Sequence, residues 1–86
     1  MKNSITIEKR GVTKKEIEEW FLVRNSGEKT AQGARGPGWQ VEFVEEKQRM
    51  IGSMHFPVVV LRIEAEQGLF SDLLHRFRVH FLRGGA

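Results

Sequence analysis

The chain opens with an alternation. In NSITIEK, Ile5 and Ile7 fall on one side and Thr6 and Glu8 on the other, the period-two pattern of a strand with one buried face. Gly11 ends it. VTKKEIEEWFLVRNSG then changes period. Thr13 with Glu16 three residues on predicts a helix N-cap of the capping-box type, and Val12 with Ile17 has the spacing of a hydrophobic staple. Ile17, Trp20, Phe21 and Arg24 define one helical stripe, and Asn25-Ser26-Gly27 ends it, with Gly27 expected in the left-handed conformation. Glu28–Gln32 reads as a weak edge strand, and Gly33, Gly36, Pro37 and Gly38 read as a loop. WQVEFVEE alternates again about Trp39, Val41 and Phe43. A tight turn is expected near Glu46-Lys47, followed by a strand over QRMIGSMHF. Within it Gly52 marks a bulge or close backbone approach, and Pro57 marks an edge position, a strand start or a bulge. VVVLRIEAE is the strongest strand signal, with Val59, Leu61, Ile63 and Ala65 on one face and Val58, Val60, Arg62 and Glu64 on the other. Phe70, Leu73, Leu74, Phe77 and Phe81 form the apolar stripe of a closing helix whose last turns carry His75, Arg76, Arg78, His80 and Arg83.

The order is therefore strand, helix, three or four strands, helix. Two amphipathic helices and a mainly antiparallel sheet with one polar face predict an α+β two-layer sandwich with both helices on one side. Trp20, Phe21, Trp39, Phe43, Leu61, Ile63, Phe70, Phe77 and Phe81 are the expected core.

Composition narrows the function classes. Eighty-six residues fit one domain over 1–86, and the 40% apolar and 29% charged shares are those of an ordinary globular protein. There is no cysteine, so thiolate metal sites, disulfides and cysteine nucleophiles are excluded. The N-terminus lacks an apolar signal core, and the longest apolar run, Phe56–Leu61, is too short to span a membrane. A cytoplasmic location is the expectation. The net charge of +3 is a weak basic bias, and the aromatics fall on stripes expected to be buried, which together argue against nucleic acid as a partner.

Candidate chemistry is sparse. His75 and His80 are five apart, pointing about 140° from each other on a helix, so they do not chelate one metal, and no cofactor is expected. Ser53, His55 and Asp72 supply the atoms of a hydrolytic triad without a nucleophile elbow, so no catalytic residue is nominated. GARGPG offers backbone amides and Arg35 to an anion but lacks the Lys and Ser/Thr of a phosphate loop. The candidate ligand- or anion-binding residues are Arg35, Trp39, Met50, Met54 and His55, which would matter if they converge on an open pocket. The terminal Gly84-Gly85 invites comparison with a sulfur-carrier tail. It follows a basic helix directly and precedes Ala86, and so is expected to be a helix stop with Gly84 at the C′ position.

Taken in order, RGPGWQVEFVEE, IGSMHFPVVVLRIEAE and a terminal amphipathic helix ending RGG resemble the C-terminal domain of bacterial MoaD-related proteins, a domain of unknown function, over about Gly11 to Gly85. The resemblance implies a TATA-binding-protein-like or helix-grip-like β-α-β(4)-α fold, with Glu28–Gln32 a true strand and the sheet curling round the last helix. It also implies a molybdenum or tungsten cofactor context. In that family the domain follows a β-grasp domain similar to a sulfur carrier. No β-grasp segment is seen in this sequence, so the expected role is a non-catalytic accessory or binding module that meets a MoaD-like sulfur carrier or another cofactor-assembly protein. The alternatives are a small-ligand binder using the space between sheet and terminal helix, and a weak nucleic-acid binder. Sheet extension at Glu28–Gln32 leaves a homodimer open.

Overall fold

The computed structural model describes residues 2–82. Five strands form one antiparallel sheet in the order β1-β5-β4-β3-β2, from β1 (Lys2–Arg10), β2 (Glu28–Lys29), β3 (Gly33–Gly36), β4 (Trp39–Ile51) and β5 (Met54–Glu66). Helix α1 (Lys14–Glu19) follows β1 and widens without a break into a π-helical segment (Trp20–Arg24), and α2 (Gln67–His80) follows β5. This is the predicted two-layer α+β sandwich of β-α-β(4)-α order.

Local chemistry accounts for the element ends. The Thr13 hydroxyl accepts the Glu16 N–H at 3.2 Å, as an N-cap should, and Val12 and Ile17 on either side of it are both buried. At the other end of this helical run Ser26, not Gly27, takes the positive φ of 54°. Gly27 is needed for another reason. A Cβ there would lie 2.7 Å from the Phe21 carbonyl and 2.7 Å from the Trp39 ring, and Gly36 faces the same indole at 2.5 Å. Trp39 thus lies in a slot that only residues without side chains can wall.

Four strands follow α1, as the resemblance implies, but they are not the four expected. Glu28–Gln32 yields only the two-residue β2. Gly33–Gly36, expected as loop, is β3, and the loop shrinks to Pro37-Gly38, with Gly38 at φ 77° as the second central residue of a type II turn requires. No turn forms at Glu46-Lys47. β4 runs through it to Ile51, and the chain reverses at Gly52-Ser53, where Gly52 has φ 62° and Ser53 does not, the pattern of a type II′ hairpin. Pro57 sits inside β5 where its β1 partner ends. Its carbonyl accepts the Gly11 N–H at 2.9 Å, so its ring nitrogen faces the side that β1 has just vacated.

A bulge explains why the pattern misled. Pairing passes from Phe43 opposite Leu61 to Glu45 opposite Val60, leaving Val44 unpaired. Before it the odd residues of β4 face the helices, and after it the even ones do. Thirteen residues at ~3.4 Å span roughly 42 Å, matching the 44 Å long axis of the molecule. The ladder with β1 ends at Val58 and that with β3 at Glu42, so the far end of β4–β5 runs on as a two-stranded arm.

The core between sheet and helices is wholly apolar. Ile17, Trp20, Phe21, Trp39, Val41, Leu61, Ile63, Leu73, Phe77 and Phe81 are buried in one cluster, and Phe43 and Phe70 are half-buried against it. Trp20, Phe21, Phe77 and Phe81 meet stacked, tilted or edge-on with ring centroids 4.9–6.0 Å apart. α2 stops at His80 with Phe81 as its C-cap, ahead of the position expected from Gly84. Gly84-Gly85 itself lies outside the described residues.

Candidate functional site

On the helix-free face polar side chains pair with one another across strands. Arg35 donates to Glu28 at 2.8 Å and Gln40 to Glu64 at 2.9 Å, while Arg10–Glu8 at 3.3 Å and Lys47–Glu45 at 3.4 Å bracket Val58 and Val60. Val58 is fully buried there, flanked in register by the long stems of Arg10 and Lys47. The outer part of this face is thus self-satisfied, and the arm is where it changes character.

Beyond Lys47 and Val58 the arm projects roughly 15 Å, by strand rise, with no neighbouring strand among the described residues. At its tip Ile51 pairs with Met54 and Met50 with His55. Met50, Ile51 and Met54 are 63%, 68% and 69% exposed. From Lys47 to Ile63 the chain has no acidic residue, while Lys47, Arg49, His55 and Arg62 supply positive or protonatable groups. The tip is thus apolar on both faces of a regular hairpin, Ile51 and Met54 with Arg49 on one and Met50 with His55 on the other, and such an exposed apolar end is a presented surface. Met adds adaptability, since its thioether side chain repacks against irregular partners.

The arm brings together three of the five predicted residues: Met50, Met54 and His55. Arg35 lies on β3, opposite Gln40 near the start of β4, and its guanidinium is held by Glu28 beside a hollow formed with Ser26, Gly36 and Pro37. Trp39 is in the core against Phe21, ring centroids 5.1 Å apart. The space between sheet and α2 is filled by Leu61, Ile63, Leu73, Phe77 and Phe81. Ile51, Lys47 and Arg49 escaped notice in the sequence. The signal for them was the acid-free run between Glu46 and Glu64.

Two further surface hollows flank α2. One runs between the two helices, with Trp20 at its floor, His80 tilted against Trp20 at 5.8 Å between ring centroids, and Arg24, His75 and Val79 around it. Among the described residues no group of three His, Asp or Glu side chains stands close enough to hold a metal ion. The other runs along β1, lined by Ile7, Lys9, Phe77, Arg78 and Leu82. Burial there, reinforced by the positive charge of Arg78, pulls the Lys9 ammonium below its ordinary pKa of 10.5. The folded chain then holds this proton less tightly than the unfolded chain, so protonated Lys9 opposes folding. That opposition is present at neutral pH and relieved as pH rises through the lowered value toward 10.5. Lys9→Met is expected to raise Tm at neutral pH and to lose this alkaline gain. Thermal melts of both proteins at about pH 7 and about pH 10 check it.

Fold and surface together define a small α+β module that displays a hairpin arm. The chain belongs to the archaeal MoaD-like protein family, whose model matches residues 5–86. No curated protein and no solved structure matches the chain. No helix among the described residues is long and apolar enough to cross a membrane.

Proposed function

We propose that the chain is a non-catalytic accessory module of molybdopterin-type cofactor assembly that docks through its β4–β5 arm onto a MoaD-like sulfur carrier. Family membership supplies the context. The observation that carries the docking surface is the exposure of Met50, Ile51 and Met54 together at the end of an arm whose charges are all basic. Burying one such side chain is worth about 1.5–3 kcal/mol, and with Ile51 and Met54 on one face and Met50 on the other, a partner cleft that takes the whole tip buries all three. Lys47 and Arg49 behind them favour an acidic rim on the partner, which speeds encounter and fixes orientation. In this reading the module is equivalent to the accessory C-terminal domain of MoaD-related proteins. It acts by holding a carrier in place, while the chemistry belongs to its partners.

Titration of the MoaD-like sulfur carrier from the same organism, followed by calorimetry, tests this. Wild-type chain should bind, more weakly as salt rises. The triple variant Met50→Asp, Ile51→Asp, Met54→Asp should lose at least about a hundredfold in affinity, the equivalent of two desolvated side chains. Binding that is absent in the wild type, or equal in the triple variant, would overturn the assignment.

A further inference from the structure

We propose that β1 is a self-complementary edge through which two copies of the chain join their sheets into one. The sheet has two edges. At one, β2 is two residues long, and the run of β4 left open past β3 starts at the Val44 bulge and carries Lys47 and Arg49, whereas β1 at the other is nine residues long and pairs with β5 in unbroken register, without proline or bulge.

The backbone phase of β1 follows from one bond. The Gly11 N–H donates to the Pro57 carbonyl, so Gly11 faces β5, and in an antiparallel ladder so do Lys9, Ile7, Ile5 and Asn3. The backbone N–H and C=O groups of Lys2, Ser4, Thr6, Glu8 and Arg10 therefore point away from the sheet. That set is symmetric about Thr6. A two-fold axis at Thr6 sets Thr6 against its own copy, Ser4 against the partner copy's Glu8 and Lys2 against its Arg10. All fall as hydrogen-bonded pairs, two bonds to each.

The side chains agree with that register. On the helix side Ile5 meets the other copy's Ile7, twice by symmetry. In one chain both isoleucines are only half-buried because no strand among the described residues lies beyond β1, and Leu82 beside Ile7 is 74% exposed. On the helix-free side the Thr6 hydroxyls meet at the axis and Ser4 faces a carboxylate, both favourable cross-strand pairs. Lys9 faces an asparagine. The one like-charge pair, Lys2 with Arg10, falls at the ends, where Arg10 already has Glu8 at 3.3 Å. Sliding the pairing by two residues keeps the backbone phase but leaves a single Ile–Ile pair in place of two. Sliding by one opposes outward groups with inward ones and turns the isoleucines to the polar face.

The test is the mass of the folded chain in solution by light scattering and sedimentation. Wild type at about 0.1 mM should have twice the 9.9 kDa chain mass. Thr6→Glu sets two carboxylates against each other at the axis while giving each an Arg62 on β5 opposite it, so the chain stays folded. It should weaken association at least about tenfold. Thr6→Pro removes an N–H that serves only the partner, and it should do the same with an unchanged circular dichroism spectrum. Wild type that stays monomeric at about 1 mM, or a dimer that survives both substitutions, would overturn the proposal.

Discussion

Phe77→Ala is expected to cost about 3–5 kcal/mol of folding stability, the range for deleting a buried aromatic ring. Phe77 is the hub of the aromatic cluster. It is 1% exposed, and its ring lies 5.5 Å from Trp20, 5.7 Å from Phe21 and 4.9 Å from Phe81. Those neighbours come from both helices and pack over Leu61 and Ile63, so the void left by the ring is walled by groups fixed from several directions. A domain of this length has about 4–13 kcal/mol of stability in all. One substitution therefore removes a large part of it, lowering Tm by something of the order of 15–30 °C. Urea unfolding should show a lower midpoint with an unchanged slope. A midpoint shift equivalent to less than about 1 kcal/mol would mean that this cluster is not the core.

Gly33→Ala is the second large effect. An added Cβ would run into the Val41 carbonyl of the neighbouring strand, with the Glu42 Cα 3.3 Å away. The obstacle is backbone, which cannot rotate aside, so β3 must separate from β4. The cost expected is about 3 kcal/mol, the upper end of overpacking effects. Gly68→Ala is the matched control. Gly68 sits in the first turn of α2 with nothing within 4 Å of the added carbon, and its φ is not positive. There the substitution should stabilise by about 0.5–1 kcal/mol, through a less flexible unfolded chain and better helix propensity. The same chemical change thus takes opposite signs at two glycines, and equilibrium unfolding of the pair reads it directly. Equal effects at both positions would refute the close approach of β3 and β4.

Elements with one face buried were legible in the sequence. Ile5 and Ile7 in β1, Trp39, Val41 and Phe43 at the start of β4, Leu61 and Ile63 in β5, and the Leu73–Phe77–Phe81 stripe of α2 all repeat with the period of their backbone, because one side of each packs and the other meets water. Thr13 announced its cap for a similar reason, since capping is settled within four residues.

The candidate site was only half legible. The sequence singles out Met50, Met54 and His55, but as residues that converge with Arg35 and Trp39 on an open pocket. The sequence says nothing of the distance along β4 that separates Arg35 from the tip, or of the slot between Gly27 and Gly36 that takes Trp39 into the core. The acid-free run from Lys47 to Ile63 was in view. Its meaning depends on its being an arm.

By itself, then, the sequence determined the class of fold, the order of its elements, the two helices with their buried stripes and most of the core. All of these are written in local periodicity and capping. Only the tertiary structure decided where the chain turns between Trp39 and Glu66, which strand lies at the long open edge, and what the glycines are for. The bulge at Val44 resets the two-residue phase, and beyond Lys47 and Val58 both faces of the hairpin leave the core, so no burial imposes a pattern to read there. Edge position and close approach are relations between segments far apart in the chain, and they exist only once β5 has taken its place between β1 and β4.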